Sequence, residues 1–168
     1  MRVLATARHP GPAEAVGPVV DSLRSAGHEV LLIGVSNDAP ENRSLGGSDA
    51  IFERAGTEFV EFFDSDSGHG VTDVPGHYAS GLVDSFAPDR VLVGCSSSEN
   101  LSGPAIEEAF VVAGVGASIR TVRIVESWGV WRRVPGTPAP STWATLDGIT
   151  ATAMAAAGAL SDRITITG

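Results

Sequence analysis

His9 is the residue best placed by type and context for proton transfer. It follows a short apolar run, Val3-Leu4-Ala5-Thr6, and precedes Pro10, Gly11, Pro12 and a helical pattern. An imidazole just ahead of a helix N-terminus is held toward its neutral form by the helix dipole, so it can take a proton as general base. A plain hydrogen bond to a neighbouring loop is the competing role. Gly11, beside Arg8 and the two prolines, fits a tight turn that lets the backbone approach a ligand closely.

Four further polar groups follow apolar runs in the same way: Asp64 to His69, Cys95-Ser96-Ser97-Ser98-Glu99-Asn100, Glu126-Ser127-Trp128 and Asp147-Gly148. Ser96, Ser97, Ser98 and Asn100 can offer hydroxyls and backbone N–H groups to an anion or a sugar, or can simply cap the next helix. Arg132 and Arg133, with Trp128 and Trp131, suit a carboxylate or phosphate clamp with stacked indoles, or equally a docking surface. Asp64, Asp66 and His69 have a metal-compatible spacing, but such a loop is ordinarily a solvated turn. Cys95, directly after an apolar strand, reads as a small buried residue rather than a thiolate.

Several chemistries are excluded by what is missing. All 11 basic residues are Arg, so a Walker lysine, a Schiff-base lysine and a Ser–Lys dyad are ruled out. The net charge of −9 argues against a nucleic-acid or anionic-membrane surface. One cysteine allows no internal disulfide and no Cys-rich zinc site. Gly11 without further glycines is not a dinucleotide fingerprint, and there is no Gly-x-Ser-x-Gly elbow. No cofactor and no metal are expected. With no long apolar run and an N-terminus that enters a strand directly, a cytoplasmic protein is expected.

The elements that must position these residues are legible as an alternation. Strands are expected at Val3 to Thr6, Val30 to Ile33, Phe59 to Phe63, Arg90 to Gly94, Thr121 to Val125, Trp143 to Leu146 and Ile164 to Ile166. Helices are expected over residues 13 to 25, Ala50 to Ala55, His77 to Phe86, Pro104 to Ala113 and Thr150 to Ala159. Strands alternating with helices at this spacing predict an α/β, doubly wound, mostly parallel Rossmann-like sheet in a single domain, residues 1–168. In such a sheet the ligand lies beyond the carboxyl ends of the strands, where the five polar groups fall.

Several segments together resemble a known family. His9-Pro10-Gly11-Pro12-Ala13, Pro18-Val19-Val20-x-x-Leu23 and Gly27-His28-Glu29-Val30 resemble the opening of GT-B-type glycosyltransferases. Pro88-Asp89-Arg90-Val91-Leu92-Val93-Gly94 is similar to their fourth strand, and Glu126-Ser127-Trp128-Gly129-x-Trp131-Arg132-Arg133 to the Asp-Ser-Trp segment of some relatives. The stretch from Gly158 to Gly168 is similar to the one that ends their N-terminal domain.

The resemblance implies a stand-alone acceptor-binding half, with the nucleotide-sugar half supplied by a partner. It implies His9 as base, with Glu99 and Glu126 as further catalytic carboxylates. Arg8, Gly11, Ser96, Ser97, Ser98, Asn100, Ser127, Trp128, Arg132 and Asp147 would contact a small-molecule or sugar-containing substrate. The partner would be a separate chain or a second copy in a homo-oligomer. The sequence departs from the pattern at Glu126, where relatives commonly carry Asp, and at Asp147-Gly148, where Asp-Glu is usual. A self-sufficient small enzyme on a sugar, nucleoside or related metabolite, and a non-catalytic binding or scaffold protein, are the alternatives.

Overall fold

The computed structural model describes residues 1–36, 47–63, 74–95, 106–126 and 138–167. Within them the chain runs β1 (Arg2–Ala7), α1 (Pro10–Ser25), β2 (Glu29–Ser36), α2 (Ser48–Ala55), β3 (Val60–Phe63) and α3 (Val74–Phe86). It continues through β4 (Arg90–Val93), α4 (Ile106–Gly116), β5 (Arg120–Val125), β6 (Thr142–Thr145), α5 (Gly148–Ala156), a 3-10 turn at Ser161–Arg163 and β7 (Ile164–Ile166). The seven strands pair in the order β3-β2-β1-β4-β5-β6-β7, and every pairing is parallel.

A parallel sheet must be covered on both faces, which is why its central strands are apolar runs rather than alternations. Leu4, Ile33, Val91 and Val93 pack against Val83 of α3 and Phe110 of α4. On the opposite face Val3, Ala5 and Leu32 pack against Val16 and Val20 of α1 and Phe52 of α2. A smaller cluster of Val125, Trp143 and Met154 seats α5 on β5 and β6. The expected doubly wound sheet is therefore present, parallel throughout the described residues.

All five helices differ from expectation by two or three residues at one end or both, and for two of them the reason is local. The first helix begins at Pro10 rather than residue 13, because proline at the first helical position lacks only an N–H that would have no intrahelical partner. The last begins at Gly148 rather than Thr150, because Asp147 caps it: the Asp147 carboxylate accepts the Thr150 N–H at 2.7 Å. Pro18 sits inside α1 on its exposed side, where water can take the carbonyl it leaves unbonded.

Candidate functional site at the carboxyl edge of the sheet

The strand order reverses direction between β1 and β4. Connections leave these two neighbours toward opposite faces of the sheet, so a crevice opens beyond their carboxyl ends. β1 delivers Arg8 and His9 to it, β4 delivers Gly94 and Cys95, and the adjacent β5 delivers Glu126.

His9 is half-buried and forms the N-cap of α1 with an extended backbone, φ −108° and ψ 163°. Its carbonyl accepts the Ala13 N–H at 3.1 Å, so the cap is made by backbone and the imidazole does not serve it. Glu126 approaches the same turn from the other side: its Oε1 lies 3.4 Å from the point a β-carbon on Gly11 would occupy. The sequence separates His9, Gly11 and Glu126 widely, and the fold brings all three to one corner.

Beneath that corner lies a charged cluster that sequence reasoning missed. Glu107 and Glu108, in the first turn of α4, are 0 % and 1 % exposed. Their charge is favoured there by the helix dipole. Arg123, from the middle of β5, donates through Nη2 to Glu108 Oε1 at 2.5 Å and through Nε to the Gly94 carbonyl at 3.1 Å. Its Nη2 is also 4.0 Å from Glu107 Oε2. Glu107 Oε1 in turn accepts the backbone N–H of Arg8 at 3.0 Å. The signal was available: an arginine inside the apolar run Thr121-Val122-Arg123-Ile124-Val125 of a covered strand demands a buried counter-charge.

The electrostatics follow from this packing. Burial alone would lower the Arg123 pKa, but the Glu108 and Glu107 carboxylates outweigh it and hold the guanidinium charged. Cys95 is partly exposed at its rim yet enclosed on most sides. That enclosure pushes its thiol up to about 12, against Arg123 and with help from Glu107, Glu126 and Glu108. Gly94 has no room for a side chain, since a β-carbon would lie 2.5 Å from Pro12 Cβ and 2.9 Å from Glu107 Oε1.

The remaining expected site residues divide into two groups. Asp147 lies at the carboxyl end of β6, two strands from β4, and one of its oxygens holds the cap of α5. Ser96, Ser97, Ser98, Glu99, Asn100, Ser127, Trp128, Arg132 and the Asp64–His69 loop lie outside the described residues.

Solved structures match this architecture over most or all of its length. The chain superposes on a UDP-GlcNAc 2-epimerase from Neisseria meningitidis bound to UDP-GlcNAc, at TM-score 0.68 and 14 % identity, covering 100 % of this chain and 46 % of that one. The UDP-GlcNAc 2-epimerase from Methanocaldococcus jannaschii matches at TM-score 0.67 and 13 % identity, over 100 % of this chain and 45 % of that one. MurG from Acinetobacter baumannii matches at TM-score 0.58 and 10 % identity, over 89 % and 42 %. The fold is that of one GT-B half. The chain spans under half the length of these GT-B-fold structures. No protein-family model and no curated protein sequence matches it. Among the described residues no helix is long and apolar enough to cross a membrane.

Proposed function

We propose that residues 1–168 form a GT-B-like acceptor-binding domain that works in the cytoplasm with a partner chain in sugar transfer to a small molecule or glycan. The observation that carries this is the corner shared by His9, Gly11 and Glu126, with Glu126 Oε1 3.4 Å from the Gly11 β-carbon position. The turn that carries His9 and Gly11 and the Glu126 carboxylate lie together at the switch point of the sheet, where α/β folds bind ligands, and this supports His9 as the base.

His9 takes the proton of the acceptor hydroxyl while that oxygen bonds to the anomeric carbon of a nucleotide sugar held by the partner. The bond from that carbon to the nucleoside diphosphate breaks, and the diphosphate leaves with the electron pair. Glu126 orients the hydroxyl, with Arg8 and Gly11 at the same turn. Glu99, Ser96, Ser97, Ser98, Asn100, Ser127, Trp128 and Arg132 complete the acceptor contacts, and Asp147 stands at the far rim.

Native mass spectrometry after mild purification from the source cell tests this directly. The expected result is a retained second polypeptide, a separate nucleotide-sugar half or another copy. In that complex His9→Asn should lower turnover by roughly 10²–10⁴-fold, the usual contribution of a general base. A monomeric chain with full transfer activity and no companion would sink the reading.

The epimerase likeness favours a second reading, a self-sufficient enzyme acting on a sugar, nucleoside or related metabolite. Its signature would be a chemically altered metabolite released by the chain alone.

A further inference from the structure

The carboxyl edge of the sheet changes character between β5 and β7. Over β1, β4 and β5 it carries Arg8, His9, Cys95 and Glu126. Over β6 and β7 it carries three large apolar side chains left in solvent: Leu146 at 39 % exposure, Ile149 at 80 % and Ile166 at 54 %. They belong together. Leu146 directly follows β6, Ile149 lies in the first turn of α5, and Ile166 ends β7. Ile166 Cδ1 lies 3.9 Å from the β-carbon position of Gly148, the neighbour of Ile149.

Register ties this patch to the polar corner. Val125 pairs with Thr145 and Thr145 with Ile166, so Glu126 and Leu146 leave the sheet in adjacent positions of one row, with Ile166 one strand beyond. At about 5 Å per strand, the apolar patch begins roughly one strand spacing from Glu126 and extends to roughly two. That is the length of a small organic molecule, not of a protein surface. A stable protein interface takes about 20–30 residues a side, whereas the other exposed positions of α5 are Gly148, Thr152, Ala153, Ala155 and Ala156. A second copy would also bring a like net charge of −9 against this one.

From this juxtaposition we propose that the ligand of this edge is an uncharged amphiphile. Its hydroxyl end lies at His9 and Glu126, and its apolar body lies across Leu146, Ile149 and Ile166. The proposal rests on the acceptor-domain reading and names its substrate class. Anionic ligands are disfavoured, because along this edge Glu107, Glu108, Glu126 and Asp147 outnumber Arg8 and Arg123, and Arg123 is already paired with Glu107 and Glu108.

The test uses the whole chain with no donor and no partner present. The probes are n-octyl β-D-glucopyranoside below its micelle concentration, methyl β-D-glucopyranoside, and n-octyl sulfate, with binding followed by NMR titration. The octyl glucoside should bind at least about tenfold tighter than the other two. The pair Ile149→Ser with Ile166→Ser, both at exposed positions, should abolish that advantage. Leu160→Ser should not, since Leu160 is 53 % exposed but precedes β7 at the opposite edge. Unchanged binding in the Ile149/Ile166 pair, equal loss in Leu160→Ser, or octyl sulfate binding as well as the glucoside would overturn the proposal. So would a concentration-dependent dimer in sedimentation that the same pair dissolves, which would assign the patch to a protein interface. Because transfer is never measured here, absence of sugar transfer with every partner would end the acceptor reading without touching this result.

Discussion

Cys95 stands where a nucleophile would be useful, directly beyond β4 in the crevice, and its surroundings silence it. Burial and three carboxylates push the thiol from 9.0 to about 12 despite Arg123. At pH 8 the thiolate fraction should therefore be about a thousandfold below that of an unperturbed cysteine. Iodoacetamide should label Cys95 only when the protein is unfolded, as mass spectrometry would show; rapid labelling of the folded chain would contradict it. The folded thiol holds its proton to higher pH than the unfolded one, so its contribution to stability is complete below about 9 and is lost as pH rises toward 12. Arg123 gives a second residue-scale test. Arg123→Met leaves Glu108 buried without its cation and should cost about 3–5 kcal/mol, read from denaturant unfolding. Adding Glu108→Leu should restore most of that loss, because replacing a buried pair by apolar groups is often neutral. A double variant as unstable as the single one would mean that the Gly94 carbonyl, not the ion pair, is what Arg123 serves.

At the scale of elements, two threonines on neighbouring strands make a paired prediction. Thr145 is 1 % exposed and its hydroxyl has no hydrogen-bond partner among the described residues. Thr121 is equally buried, but its Oγ1 accepts the Ser141 N–H at 3.0 Å. Thr145→Val should raise the unfolding free energy by about 1 kcal/mol, and Thr121→Val should lower it by about 1–3 kcal/mol by orphaning that donor. Movement of both in the same direction would refute the account. Nothing in the composition separates these two residues; only tertiary hydrogen bonding does. The strands themselves were legible, because parallel strands covered on both faces must be runs of Val, Ile, Leu and Ala, as at Val91-Leu92-Val93. The corner of His9, Gly11 and Glu126 was legible as three separate loop residues once the carboxyl ends were collected. Of the Glu107–Glu108–Arg123 cluster only the arginine was, as a charge inside a covered strand that demands a buried partner. Two glutamates opening a helix usually face solvent and favour its dipole, and only the packing of α4 onto the sheet reveals that these two are buried.

For the molecule as a whole, one sheet carries both a polar and an apolar stretch along a single edge, while the solved structures it matches extend for more than as many residues again. In the proposed complex the companion closes over that edge. The first turn of α1 bears on what it would supply there. Of the residues Pro10, Gly11 and Pro12, only Gly11 carries an N–H, and the Glu126 carboxylate stands beside it. The row of backbone donors by which the first helix of a nucleotide-binding fold grips phosphate is thus reduced to a single donor, beside a negative charge of the protein's own. The domain keeps the shape of a phosphate cradle without its grip, and any nucleotide reaching this cleft has to be held from the other side.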